Sequence, residues 1–120
     1  MAHKRTVHVR RIYDAPTPTD GTRVLVDRIW PRGMTKENAH LDEWCKQVAP
    51  STQLRKWYLS NPDRFAEFSD RYQAELQDPE RADALAHLRD LAEDRTLTLL
   101  TATTHPETSK AEVLAELLRS

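Results

Sequence analysis

Apolar residues along the chain alternate between short β-branched runs and longer stretches with helical periodicity. Residues 7–13 (Val-His-Val-Arg-Arg-Ile-Tyr) are rich in β-branched and aromatic side chains and predict a first strand. Val24, Leu25 and Val26 follow one another without a polar interruption, which is typical of a strand covered on both faces inside a sheet. Residues 96–101 (Thr-Leu-Thr-Leu-Leu-Thr) predict a further strand.

Two other segments before the helical half of the chain are less regular. Residues 14–21 contain two prolines and end in glycine, which predicts a loop. Residues 41–48 fit two patterns, because Leu41, Trp44 and Val48 have helical spacing while alternate residues from Asp42 to Val48 fit one face of a strand. We favour a short extended segment here.

The remaining chain predicts four helices, each with an apolar stripe on one side. Ser51 can accept hydrogen bonds from the first turn of the first of these helices, and the sequence Asn-Pro-Asp at 61–63 interrupts the pattern before the second. The inward positions are Leu54, Trp57 and Tyr58; Phe65, Phe68, Tyr72 and Leu76; Leu85, Leu88 and Leu91; and Val113, Leu114 and Leu117 within residues 108–118. This order of elements predicts an α/β fold, with a small sheet of three to four strands packed by helices in a three-layer-like arrangement.

Length and charge narrow the class of protein. The chain has 120 residues, which fits one domain over residues 1–120. With 18 basic and 19 acidic residues the net charge is −1, so generic binding to nucleic acid is unlikely. No apolar run approaches the roughly 20 residues that span a bilayer, and no signal-peptide pattern follows the start. We therefore expect a cytoplasmic protein without membrane contact, either a monomer or a homodimer.

Several kinds of site lack their sequence signals. Cys45 is the single cysteine, so an internal disulfide is excluded, and a buried or half-buried inert thiol is expected rather than a catalytic one. His3, His8, His40 and His87 show no metal-ligand spacing, and no bound metal is predicted. Two glycines leave no room for a glycine-rich phosphate loop, and no nucleotide or dinucleotide fingerprint is present. The sequence thus predicts no cofactor.

Polar groups follow two of the predicted strands. In open α/β sheets, ligands collect beyond the carboxyl ends of the strands, and Asp27-Arg28 and residues 101–105 (Thr-Ala-Thr-Thr-His) occupy such ends. Arg28 and Arg32 carry planar donors that suit carboxylate or phosphate, and Trp30 offers a flat wall in the same turn as Gly33. The alternative is that Arg28 pairs with Asp27 or with a helix carboxylate, while Trp30 and Pro31 only pack.

Three further residues are candidates for the same site. Arg55 lies one turn after Ser51 at a helix start, where free backbone N–H groups also attract anions. For each residue taken alone, the pattern favours the simpler alternative of a capped helix with a solvated Arg-Lys pair and Trp57 in the core. His105 can act as an acid or base, and its simpler role is that of a surface residue before the last helix. If the protein is catalytic, Asp27 and His105 are the weak candidates for proton transfer.

Motifs across the chain resemble those of one family of small bacterial proteins. They are residues 28–34 (Arg-Ile-Trp-Pro-Arg-Gly-Met), 41–44 (Leu-Asp-Glu-Trp), 49–51 (Ala-Pro-Ser) and 54–58 (Leu-Arg-Lys-Trp-Tyr), with the pairs Glu67-Phe68 and Arg71-Tyr72. From about Val7 to Leu118 the chain resembles the YeaO-like family, domain of unknown function 488. The resemblance implies a compact cytoplasmic α/β domain and no established reaction. The family often has Tyr-Ala-Ala-Lys-Asp where this chain has residues 101–105, so no lysine-dependent role is carried over to that place.

The sequence supports one leading hypothesis and two alternatives. The leading hypothesis is a protein that binds a small anionic molecule or nucleotide fragment through Arg28, Trp30, Arg32, Gly33, Ser51 and Arg55. One alternative is a non-enzymatic partner-binding module or homodimer with an aromatic interface formed by Trp30, Trp57 or Tyr58. The other is nucleic-acid binding, which requires Arg10, Arg11, Arg28 and Arg32 to share one face.

Overall fold

The computed structural model describes residues 5–120, in which four strands form one parallel sheet. The strands are β1 (Val7–Arg11), β2 (Thr22–Leu25), β3 (Glu43–Trp44) and β4 (Leu97–Thr101), and their order in the sheet is β1-β4-β2-β3. Every neighbouring pair is parallel. The predicted α/β class and the inner position of the strand with Val24 are confirmed, and residues 41–48 do contain a short strand. His3 lies outside the described residues.

Five α-helices accompany the sheet in this part of the chain. They are α1 (Lys36–Ala39), α2 (Thr52–Ser60), α3 (Phe65–Glu75), α4 (Pro79–Asp94) and α5 (Lys110–Arg119), with 3-10 turns at Lys46–Val48 and Pro106–Thr108. The last four helices are those that the apolar stripes predict. Helix α1 was missed, because Ala39 is its only buried residue and one turn has no readable stripe. Thr35 caps it by accepting from the backbone of Asn38.

The two faces of the sheet are covered unequally. Val24 and Leu99 contribute to the larger face, which packs against buried residues of α2, α3, α4 and α5. Leu25 and Leu100 point to the other face, where they are covered by Trp30, Met34, Ala39 and Leu41 of the segment between β2 and β3 and by Trp44 of β3. The third layer is therefore mainly a loop and a one-turn helix. Because successive strand residues alternate between faces, both coverings together explain the uninterrupted apolar run in β2.

A buried carboxylate anchors the connection from β1 to β2. Asp20 is only 3% exposed and accepts hydrogen bonds from the backbone and hydroxyl of Thr17, at 3.0 and 2.8 Å. It also accepts from Arg10 at 3.0 and 3.1 Å and from the buried Arg23 at 2.5 Å. Burial opposes ionisation of Asp20, but the hydrogen bonds from Thr17, Arg23 and Arg10 outweigh it and lower the pKa of this carboxyl well below its usual value.

The residue after Asp20 must be a glycine, because the loop backbone lies very close to the backbone of Thr96 at this point. Gly21 has φ +64°, and a Cβ added there would lie 2.2 Å from the carbonyl oxygen of Thr96. That oxygen accepts the backbone N–H of Thr22 at 2.9 Å, which begins the pairing of β2 with β4. The loop between β1 and β2 is thus held in place at Asp20 and Gly21, directly before β2 begins.

The parallel arrangement brings all four carboxyl ends to one edge of the sheet. The ladder continues beyond the strands themselves, since Val26 donates to Leu100 at 3.1 Å and Ile12 donates to Thr101 at 2.9 Å. Residues that follow β2 and β4 are therefore neighbours in space, as the sequence predicts. Within residues 5–120, none of the helices combines the length and apolar composition needed to span a lipid bilayer.

Candidate functional site

A cavity of about 390 Å³, called here the basic cavity, opens beyond the carboxyl ends of β2 and β4. Four cationic side chains and a single carboxylate are among its walls. The cations are Arg28, Arg32, Arg55 and Lys110, the carboxylate is Asp27, and the remaining walls are Tyr13, Ile29, Trp30, Pro31, Ala49, Pro50 and Ala102. The three arginines singled out by the sequence thus line one cavity, although they come from the segment after β2 and from helix α2.

Asp27 and Lys110 form the floor of this cavity. Asp27 Oδ1 accepts from the hydroxyl of Thr101 at 2.8 Å and from Lys110 Nζ at 2.9 Å, and Oδ2 accepts from the backbone N–H of Ala102 at 2.8 Å. Both carboxylate oxygens are therefore occupied as acceptors, and both side chains of the ion pair are largely buried. Asp27 ties the end of β2 to the end of β4 and holds Lys110 at the cavity.

Lys110 is a site residue that sequence reasoning missed. It is the first residue of α5, where a cation opposes the positive end of the helix dipole. This unfavourable placement, at the start of the first α-helix after β4, was the usable signal in the sequence. The carboxylate of Asp27 neutralises the charge of Lys110, so a lysine is tolerated at the positive end of the helix.

The three arginines have no internal partner within residues 5–120. Neither Arg28, Arg32 nor Arg55 has a carboxylate within 4.0 Å of its guanidinium, and none of the three donates a side-chain hydrogen bond. Arg28 does not pair with Asp27, the alternative that the sequence allows, because the partner of Asp27 is Lys110. Most of the other arginines in this part of the chain do bind carboxylates.

Trp30 combines packing with a position in the cavity wall. Its indole N–H donates to the carbonyl of Met34 at 2.7 Å, and its ring meets the Trp44 ring edge-on with centroids 5.3 Å apart. Trp44 in turn donates to the carbonyl of Asp27 at 2.7 Å. Gly33 has φ +76° in the turn that closes between Pro31 and Met34, and it does not line the cavity. The segment after β2 is therefore held in a defined shape.

Ser51 caps helix α2 and directly follows Pro50, a residue of the cavity wall. Its hydroxyl accepts from the backbone of Leu54 at 3.1 Å, which confirms the predicted helix cap, and Glu75 accepts from the Ser51 backbone and hydroxyl at 2.8 and 2.5 Å. Ser51 does not line the basic cavity, whereas Arg55, one turn later in α2, does. The cap and its bond to Glu75 set the direction of the helix that carries Arg55.

A second cavity of about 450 Å³, called here the aromatic lobe, adjoins the first and shares Pro50, Arg55, Ala102 and Lys110 with it. Its own walls are Tyr58, Leu59, Pro62, Phe68, Thr103, His105, Thr108 and Ser109. The rings of Tyr58 and Phe68 stack at 4.2 Å, and the Tyr58 hydroxyl donates to the carbonyl of Thr108 at 2.7 Å. His105 is exposed there, with Nδ1 3.4 Å from Glu107.

The residues behind the other hypotheses have partners of their own. Arg10 binds Asp20, and Arg11 donates to the carbonyl of Thr103 at 3.0 Å and lies over the Tyr13 ring. These contacts use two of the four arginines that nucleic-acid binding requires. Trp57 lies under the guanidinium of Arg71, 4.3 Å from its ring centroid. The aromatic residues named for a partner interface are thus half-buried rather than free.

The remaining reactive groups lie away from the two cavities. Among residues 5–120, no group of three or more His, Cys, Asp or Glu side chains has the geometry of a metal site. Burial, with the nearby charge of Glu43, raises the pKa of the Cys45 thiol to about 11. Cys45 is therefore a protonated core side chain at neutral pH, as the sequence predicts.

Comparisons with known proteins identify relatives over almost the whole chain. The family model described as "Inactive DUF488-N3 subclade" matches residues 6–120. Uncharacterized protein Rv3073c of Mycobacterium tuberculosis is 50% identical over 118 residues, 98% of each chain. Uncharacterized protein YeaO of Escherichia coli is 41% identical over 114 residues, 95% of this chain and 97% of the relative. No solved structure matches this chain. The chain therefore belongs to the YeaO-like DUF488 family, in the subclade described as inactive DUF488-N3.

Proposed function

We propose that this protein binds a small anionic molecule in the basic cavity. The observation that carries the proposal is the convergence of Arg28, Arg32 and Arg55, without carboxylate partners in the described chain, on one cavity that also contains Lys110. Like charges repel, so such a cluster costs free energy unless an anion enters it. Guanidinium groups are the side chains best suited to bind carboxylate or phosphate through paired hydrogen bonds.

The proposed role is binding without catalysis. Asp27 already accepts hydrogen bonds at both of its oxygens, and His105 lies in the aromatic lobe, outside the walls of the basic cavity. The description of the matching subclade as inactive agrees with a binding role. A cytoplasmic location, expected from the sequence, is part of the same proposal.

Substitution of single arginines tests the site. We expect Arg28→Ala or Arg55→Ala to weaken binding of inorganic phosphate or a phosphate ester by about ten- to a hundredfold, because each removes an ionic hydrogen-bond donor worth roughly 1.5–3 kcal/mol. A thermal-shift screen of phosphates, nucleotides and carboxylates selects the ligand, since binding to the folded state raises its stability. Titration followed by ¹H–¹⁵N NMR then gives the affinities.

Arg89→Ala is the matched control for this test. It removes the same charge from helix α4, at a surface hollow that contains none of the residues of the basic cavity. Arg89→Ala should leave the affinity within about twofold, because Arg89 lines neither cavity and salt screens a charge that does not contact the ligand. Equal losses of phosphate affinity in all three variants would mean that the anion is attracted by net charge and not bound at a specific site. Unchanged affinity in both Arg28→Ala and Arg55→Ala would refute the proposed site.

A homodimer is the second candidate, and one observation favours it. Tyr13, Ile29 and Leu59 are 43%, 59% and 69% exposed, and all three lie around the two cavities. Exposed apolar groups that cluster in this way can mark an interface. Light scattering over a range of protein concentrations separates the two candidates: a dimer that Ile29→Ser dissociates supports the interface, whereas a monomer at every concentration removes it.

A further inference from the structure

The two cavities form one bipartite cleft with different chemistry at each end. The basic cavity has four cationic walls, while half of the residues that line only the aromatic lobe are apolar, namely Tyr58, Leu59, Pro62 and Phe68. Arg55 and Lys110 line both cavities, together with Pro50 and Ala102. A single ligand can therefore place an anionic group at one end and an apolar group at the other without leaving the cleft.

The aromatic lobe is preformed by internal contacts. Tyr58 is fixed at both ends, because its ring stacks on Phe68 at an interplanar angle of 14° and its hydroxyl donates to the carbonyl of Thr108. Phe68 is itself buried and stacks further on Tyr72. A ligand entering this lobe meets ordered walls, so little additional ordering of the protein opposes binding.

Leu59 is the side chain that internal packing does not explain. It lies in the last turn of α2 and is 69% exposed, yet it borders the aromatic lobe. Leu59 does not belong to either of the two hydrophobic clusters of the core. An apolar side chain in this place becomes favourable when a second apolar group covers it.

We propose that the ligand of the basic cavity is an aromatic anion, with a phosphate or carboxylate attached to a ring system that occupies the aromatic lobe. The inference rests on the proposed function and specifies its ligand class. A flat ring of the ligand packs well between the ring and proline side chains of the aromatic lobe. Because Arg55 lines both cavities, its guanidinium can contact the face of that ring on one side and the anionic group on the other side. The cationic side chains of the basic cavity bind the anionic group of this ligand, and the apolar side chains of the aromatic lobe contact its ring.

A matched series of phosphates tests the ring. Inorganic phosphate, phenyl phosphate and 1-naphthyl phosphate carry the same anionic group, and phenol is the neutral control. We expect phenyl phosphate to bind about tenfold tighter than inorganic phosphate, and naphthyl phosphate tighter again, because each ring removes apolar surface from water. Phenol alone should bind weakly. Dissociation constants come from calorimetry or NMR titration, and contacts from nuclear Overhauser effects between ring protons and Leu59 methyl groups.

Two substitutions in helix α2 locate the ring. Leu59→Ser should reduce the preference for naphthyl phosphate over inorganic phosphate by about threefold or more, and leave inorganic phosphate binding unchanged, because it removes only apolar contact. Gln53→Ser places the same residue at an exposed position of the same helix, outside both cavities and without a change of charge, and should change neither affinity. Arg28→Ala should weaken every phosphate in the series.

The outcomes separate this inference from the proposed function. If inorganic and aromatic phosphates bind equally and both depend on Arg28, the aromatic ligand class is wrong and the anion site stands. If the aromatic esters bind more tightly but Leu59→Ser has no more effect than Gln53→Ser, the ring lies elsewhere and the inference is overturned. If no phosphate of the series binds and no carboxylate counterpart, such as acetate against 1-naphthoate, binds either, the proposed function fails and the inference fails with it.

Discussion

Asp20→Asn is expected to lower the free energy of unfolding by about 3–5 kcal/mol, the usual cost of breaking one side of a buried ion pair. The carboxylate of Asp20 binds Arg23, which is itself almost fully buried, and the amide of asparagine cannot neutralise that charge. The same substitution weakens the bonds from Thr17 that hold the loop before β2. Urea unfolding followed by circular dichroism measures the change.

The loss of stability caused by Asp20→Asn should be larger at neutral pH than in acid. The pKa of Asp20 is lowered in the folded protein from an ordinary value of 3.8, so its stabilisation is fully present above that value and is lost as pH falls toward the folded-state pKa. The difference between wild type and Asp20→Asn should therefore be constant near neutrality and narrow below about pH 4.

An exposed aspartate provides the control for this substitution. Asp63 lies on the surface between α2 and α3 and has no ion-pair partner in the described residues, so Asp63→Asn should change stability by less than about 0.5 kcal/mol at any pH. An Asp20→Asn variant as stable as Asp63→Asn, or a stability gap that widens in acid, would contradict the role assigned to the buried pair.

Asp27→Asn should lower stability while raising the affinity for anions. The substitution removes the counter-ion of Lys110 and leaves the bonds to Thr101 and Ala102 incomplete, at a cost of about 3 kcal/mol. It also removes the only carboxylate in the wall of the basic cavity. A charge about 6 Å from a bound anion repels it even in a water-like dielectric, so phosphate should bind roughly two- to fivefold more tightly.

Lys110→Met is the matched variant for this second prediction. It breaks the same ion pair from the other side, so it should also lower stability, but it removes a cation from the cavity and should weaken phosphate binding. Chemical unfolding gives the stabilities, and NMR titration gives the affinities. If Asp27→Asn weakened binding tenfold and Lys110→Met left it unchanged, Asp27 would contact the ligand directly, and its assignment as a holder of Lys110 would be wrong.

The parts of the fold that were predictable are those with a periodic local signal. The uninterrupted run at Val24, the stripe at Phe68 and Tyr72, and the cap at Ser51 each express a short-range rule, and each predicted element is present. Helix α1 was not predicted, because a one-turn helix with a single buried alanine has no repeating pattern of apolar residues. The strand at Glu43–Trp44 was ambiguous for a similar reason, since two residues of pairing leave the sequence free to fit either pattern.

The sequence by itself determined the α/β class and the edge of the sheet where polar residues collect, and it singled out three arginines as candidates for a site, because residue pattern and residue chemistry are readable locally. That these arginines line one cavity is visible only in the tertiary structure. Only the tertiary structure decided their partners. Lys110 lies 83 residues from Asp27 along the chain, and its contact with Asp27 takes the carboxylate that lies next to Arg28 in the sequence. The adjoining aromatic lobe likewise joins Leu59 and Thr108 from distant segments. Such pairings depend on how helices pack over a sheet, and no spacing within one segment encodes them.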